Sequence, residues 1–213
     1  MEVVMNKPVD PKNEHINERI GKLFRYTKAG LEKKDARYYA DIENAARNHQ
    51  PKEYPNGKAE HARIVLAKFF EYGTGEICLF SGQLRERAQA ELPVYSWIIL
   101  QEAVLSFLRR EGTKLRIILE KNADYIIPDG HALLKTIADA KDLKGSVELF
   151  RLNGNTDGRT HFCVSDTGYR EEINDSDCTA VSNFGDQQKA ATLKRDFENL
   201  LKKATGVWEV RPI

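Results

Sequence analysis

Thr160-His161-Phe162-Cys163-Val164-Ser165-Asp166 reads as a β-strand, and its reading decides what the neighbouring elements build. Side chains alternate along a strand, so His161 and Cys163 share one face. Thr167-Gly168 then turns the chain back into Gly168-Tyr169-Arg170-Glu171-Glu172-Ile173, and the two segments form a hairpin. Cys178 to Gly185 (CTAVSNFG) follows as a further short strand or turn. A last helix covers about residues 187–204, with Leu193, Phe197, Leu200, Leu201 and Ala204 on one face.

Working backward from the hairpin, strands and helices alternate. Residues 59–73 carry Ala62, Val65, Leu66, Phe69 and Phe70 at helical spacing, with Gly73 as terminator. GEICLFSG (75–82) is a short buried strand. VYSWIILQEAVLSFLRREG (94–112) is a helix striped by Val94, Trp97, Ile98, Val104, Leu105 and Leu108. KLRIILE (114–120) is a strand, GHALLKTIADAKD (130–142) a helix opened by a surface His131, and GSVELFRL (145–152) a strand. Alternation followed by a hairpin predicts an α/β domain with a mixed sheet flanked by helices.

Residues 1–57 lack such patterns and read as an N-terminal helical extension. NERIGKLFRYTKAGLEKK and DARYYADIENAARNHQ supply its two helices. PKEYPNGK (51–58), with two prolines and Asn-Gly, is the loop before the main domain at 58–213.

The bulk numbers exclude several classes. A chain of 213 residues suffices for one large domain, or an ordinary one with an extension. With 41% hydrophobic and 31% charged residues it has a globular composition and a well-solvated surface. A net charge of +1 gives no overall pull toward nucleic acid or membrane. Cys78, Cys163 and Cys178 form no C-x-x-C pair and are expected as reduced thiols in a cytoplasmic protein. The start of the chain turns polar too soon for a secretory signal, and Val94 to Leu108 is too short to span a bilayer.

The order of elements over 59–205, with His161 on its strand and Asn183-Phe184 after the next turn, resembles one half of the phospholipase D superfamily. There the motif strand carries His-x-Lys with a downstream Asp, and a second motif reads Gly-Ser-x-Asn, often followed by Phe. His161 matches the histidine, and Asn183-Phe184 the end of the second motif. Cys163 stands in the lysine's place, Asp166 arrives two positions early, and Ala180-Val181 replace Gly-Ser. The motif is degenerate.

That resemblance implies phosphodiester cleavage without metal or other cofactor, one histidine attacking phosphorus and a second protonating the leaving group. With a single motif, an active enzyme would be a homodimer contributing two copies of His161, acting on nucleic acid or a nucleotide. Asn183 would orient the histidine or the phosphate. Losing the lysine removes a preorganised donor worth roughly 3–4 kcal/mol. Arg159 and Arg170 are the candidate substitutes for phosphate binding, with Lys189 nearby in sequence, since arginine clamps phosphate well. The alternative implied by the missing lysine, and the one favoured here, is an inactive relative. It would be a binding or scaffolding subunit with protein partners, in a bacterial multi-protein system such as a defence operon.

Plainer readings stand beside these. His161 suits a hydrogen-bonded strand residue anchoring the hairpin, and Cys163 a buried small hydrophobe. Asn183 suits a turn, and Asp186 a cap for the last helix. His161, Cys163 and Cys178 are the donor types zinc takes, but a fourth ligand is not identifiable, so no metal is expected.

Overall fold

The computed structural model describes residues 33–82, 84, 94–120, 131–174 and 179–212. Two compact units divide the chain, Met1–Arg37 and Tyr38–Ile213, and the sheet lies in the second. The first expected helix falls outside the described residues. The second is present as α1 (Lys33–Arg47).

The elements that follow are β1 (Glu53–Asn56), α2 (Ala59–Tyr72), β2 (Glu76–Ser81), α3 (Ile98–Leu108), β3 (Lys114–Leu119), α4 (Ala132–Asp139) and β4 (Ser146–Leu152). After them come β5 (Phe162–Val164), β6 (Tyr169–Asn174), β7 (Thr179–Asn183), α5 (Gln187–Leu201) and β8 (Ala204–Val210). The strands make one eight-stranded sheet in the order β1-β7-β6-β5-β2-β3-β4-β8. β2, β3 and β4 are mutually parallel and every other pairing is antiparallel, so the sheet is mixed, as expected for this α/β fold.

Crossovers between parallel strands of one sheet are right-handed as a rule, which places α3 and α4 on the same face. α5 covers the other face, where Phe162, Leu193, Phe197 and Leu200 meet Cys78, Phe80 and Ile118 in a buried cluster. Ile77 and Leu79 alternate with Cys78 and Phe80 along β2, and all four are buried. A strand covered on both faces reads as a continuous apolar run, which explains why GEICLFSG was legible. Asp186 caps α5, its Oδ1 accepting from Lys189 N at 2.9 Å.

Two strands depart from the expected pattern. Residues 53–56, assigned from sequence to the loop before the main domain, are the edge strand β1 paired with β7. Tyr54 and Asn56 are buried and Glu53 and Pro55 exposed, and a proline is tolerated at an edge because its missing N–H has no ladder partner to lose. β8 continues almost directly from the last helix, which stops at Leu201 rather than 204.

The interior of the α1–α2 contact is polar. Lys68 is 0% exposed, and its ammonium donates to Tyr39 Oη at 2.6 Å, pairs with Glu71 at 2.6 Å and pairs with Glu43. Tyr72 donates to the same Glu43, which also accepts from Arg47 at 2.8 Å.

Candidate functional site

β2 and β3 run parallel, and just past their carboxyl ends stand Gly82 and Glu120. That edge of an open α/β sheet is where ligands usually bind. β5 runs antiparallel to β2 with Phe162 opposite Phe80, so His161, one residue earlier, reaches the same edge. The tight turn over Asp166-Thr167 sets β6 against β5 with Phe162 opposite Glu171. His161 therefore faces Glu172, whose N–H donates to its carbonyl at 2.9 Å.

The imidazole sits between two carboxylates. Nδ1 is 3.1 Å from Glu172 Oε2, and Nε2 is 3.3 Å from Glu120 Oε2. With a proton on each nitrogen the ring donates to both, joining the end of β3 to the hairpin. The Phe80 ring meets the imidazole edge-on at 5.4 Å. A Cβ at position 82 would stand 2.9 Å from the ring, so glycine there lets the imidazole lie against the backbone. The side chain is 21% exposed.

Arg170 shares this face and donates through Nη1 to Glu172 Oε1 at 3.2 Å. Glu172 thus offers one oxygen to His161 and the other to Arg170. Burial pushes its carboxyl up, but His161 and Arg170 outweigh burial and hold it below the usual carboxylate range. A depressed folded-state value gives a stability contribution present above the unfolded value of about 4.5 and lost as pH falls through the lower folded value. Urea midpoints recorded from pH 7 down to pH 3 are expected to fall more steeply for wild type than for Glu172→Gln. Parallel curves would remove Glu172 from the acid response.

Cys163 lies on the same face, opposite Arg170, but is 1% exposed, and burial pushes its thiol up to about 12. It is a buried small side chain, not a reactive thiol. Arg159 does not reach this cluster, because β5 begins only at Phe162 and strand alternation does not extend back to it. It pairs instead with Asp196 of α5 at 2.9 Å. Lys189 is likewise engaged elsewhere, with Glu171 at 2.8 Å.

Asn183 ends β7, opposite Tyr169, whereas His161 lies beyond the far end of the β5–β6 ladder from it. Its Oδ1 accepts from Gly185 N at 2.9 Å and Asp186 N at 3.0 Å, closing the turn into α5. The structure thus brings His161 and Arg170 together and leaves Asn183 and Arg159 apart from them. His131, expected at the surface, is buried, with Nε2 3.1 Å from the Leu84 carbonyl. Cys178 falls outside the described residues, and no group of three or more potential metal ligands exists among the described ones.

Glu120 and Glu172 were not singled out from the sequence. For Glu172 the expected turn at Thr167-Gly168 would have set residue 174 opposite 161; the chain turns instead at Asp166-Thr167, which brings Glu172 there. For Glu120 the sequence holds no signal, because its approach depends on how β3 lies in the sheet.

No family profile and no curated protein sequence matches the chain. Solved structures do resemble it. TrmBL2, an archaeal chromatin protein whose structure shows a novel mode of DNA binding, superposes with a TM-score of 0.52 at 19% identity, covering 94% of this chain and 72% of its own. Nuc from Salmonella typhimurium, a phospholipase D family member, gives 0.48 at 10% identity over 73% of this chain and 99% of its own. NucT from Helicobacter pylori gives 0.47 at 11% identity, with the same coverages of 73% and 99%. At such identities the likeness concerns the fold. No helix among the described residues is long and apolar enough to cross a membrane.

Proposed function

We propose that this chain is a degenerate phospholipase D-like domain that binds without hydrolysing phosphodiesters, serving as a binding or scaffolding subunit in a bacterial multi-protein system. The bacterial setting, of which a defence operon is one form, rests on the resemblance. The observation that carries the non-hydrolytic reading is the closure of both imidazole nitrogens of His161 by carboxylates.

A histidine nucleophile needs a free nitrogen in line with phosphorus, and Glu120 holds the one facing away from the hairpin. A phosphodiester placed there brings its anion to within about 4 Å of a carboxylate, a repulsion of about 4 kcal/mol at the effective dielectric near a protein surface. That equals roughly a thousandfold in rate, before the loss of the motif lysine is counted. Arg170 is the one expected phosphate clamp that reaches the cluster, and Glu172 already engages it.

The DNA binding of TrmBL2 makes nucleic acid the first class of ligand to test, beside protein partners. A net charge of +1 means that such binding would depend on a local surface.

The test incubates wild type and His161→Ala, both checked for folding, with single- and double-stranded DNA, RNA, cyclic nucleotides and bis-p-nitrophenyl phosphate in EDTA. Each mixture is also run on a native gel. We expect intact substrates throughout, with any shifted band equal for the two proteins. EDTA-resistant cleavage that disappears in His161→Ala would overturn this reading in favour of a metal-independent phosphodiesterase. A homodimer in solution would then be required to supply the second histidine.

A further inference from the structure

α2 and α3 pack closely against each other and run parallel, since each leads into one of the parallel strands β2 and β3. Near their carboxyl ends the Phe70 and Phe107 rings meet edge-on at 5.7 Å, and Arg110 donates to the Phe70 carbonyl at 2.8 Å. About two helical turns before this contact stand Arg63 on α2 and Leu100 in the first turn of α3. We propose that Arg63 and the amino end of α3 bind a phosphate group, at a site built on helices rather than on the strand of His161.

Arg63 is 4% exposed, yet its Nε and Nη2 have no hydrogen-bond partner among the described residues. These two nitrogens form one edge of the guanidinium, the edge that takes two oxygens of an anion side by side. The chain's own carboxylate does not fill it. Glu60 approaches only Nη1, at 3.9 Å, which is too far for a hydrogen bond. Its side chain is 44% exposed, so the guanidinium lies just beneath the surface there. Burial pushes the Arg63 guanidinium down, and Glu60 opposes that shift without cancelling it. A buried charge in this state is destabilising, and an anion on the open edge would relieve it.

The end of α3 supplies the rest. A long helical side chain leans toward the amino end of its own helix, so Arg63 reaches back from the level of Leu100 toward the first N–H groups of α3. Trp97, the cap residue, has no oxygen to accept from those groups, and the first turn holds no acidic residue. The helix has 11 residues, and its dipole brings partial positive charge to this end. Trp97 is buried as well, with its indole N–H unpaired. A guanidinium edge from one helix and backbone N–H groups from another come from two directions, which suits a tetrahedral phosphate better than a planar carboxylate.

The experiment titrates inorganic phosphate, and in a second arm methyl phosphate, into the ¹⁵N-labelled full chain at constant ionic strength in chloride. The two tryptophan indole signals are followed. A saturable shift is expected at Trp97, with Trp208 of β8 unmoved, and the tighter of the two ligands identifies the source of the phosphate group. Acetate should bind at least about tenfold more weakly, as should phosphate to Arg63→Lys, which keeps the charge but loses the fork. Arg63→Met removes a buried charge that lacks a hydrogen-bonded partner. It should therefore unfold at no lower temperature than wild type in chloride, and phosphate should stabilise wild type alone. No saturable shift at Trp97, undiminished phosphate binding by Arg63→Lys, or equal stabilisation of Arg63→Met would each overturn the assignment.

Discussion

Replacing Lys68 by methionine will lower the unfolding free energy by about 3–5 kcal/mol. Burial opposes the charge on Lys68, but Glu71, Tyr39 and Glu43 outweigh it and raise the ammonium's pKa, so the side chain stays protonated inside the fold. Methionine fills much the same volume and removes only the charge and its donors. Glu43 and Glu71 would then lose a shared cation, and Glu43, itself buried, would keep only Tyr72 and the more exposed Arg47. An uncompensated buried carboxylate is the expensive outcome, whereas replacing a whole buried ion cluster by apolar groups is often nearly neutral. Lys68→Met combined with Glu43→Gln should therefore recover part of the loss. Urea denaturation followed by circular dichroism measures both. A change below about 1 kcal/mol in the single variant would mean that the cluster is solvated rather than buried.

The second large effect concerns the motif itself. Cys163→Lys would restore the family's histidine–lysine spelling, and from sequence alone it is the natural attempt to revive hydrolysis. The structure predicts the reverse. Position 163 is 1% exposed, opposite Arg170 and between Leu79 of β2 and the hairpin, so a new ammonium would be buried beside an existing guanidinium. Burying an unpaired charge, with added volume in a packed strand, is expected to remove about 3–5 kcal/mol of stability without producing cleavage. Thermal denaturation together with the EDTA hydrolysis panel measures both parts. A variant as stable as wild type, or one that cleaves, would show that position 163 opens to the substrate edge.

Much of this fold was legible because its elements carry strong local signals. Phe69, Phe70 and Gly73 mark the end of α2, and the unbroken apolar runs of β2 and β3 mark strands covered on both faces. β1 was missed for a physical reason: Pro55, Asn56 and Gly57 carry turn chemistry, and only pairing with β7 makes an extended strand of them. β8 was missed because Ala204 continues the apolar stripe of α5, while the chain leaves the helix at Leu201.

The site divides in the same way. His161, one residue before β5, and Arg170 on β6 were picked out by the motif resemblance and by nearness in sequence, and both meet Glu172. Asn183 was grouped with His161 because the resemblance treats the turn before Phe184 as the family's second motif. In the structure a whole strand, β6, separates β5 from β7, and Asn183 lies at the other end of the ladder. The carboxylates on its imidazole come from the residue just past β3 and from β6, and sequence proximity to His161 marks neither one.

If His161 is a clasp rather than a nucleophile, its contact with Glu172 must contribute to stability. The most direct measurement is a double-mutant cycle in urea using His161→Ala, Glu172→Gln and the double variant. We predict a favourable coupling of about 1–2 kcal/mol, since a charge-assisted hydrogen bond between partly buried groups falls in that range. A coupling indistinguishable from zero, with His161→Ala as stable as wild type, would contradict the account and return His161 to the list of candidate nucleophiles.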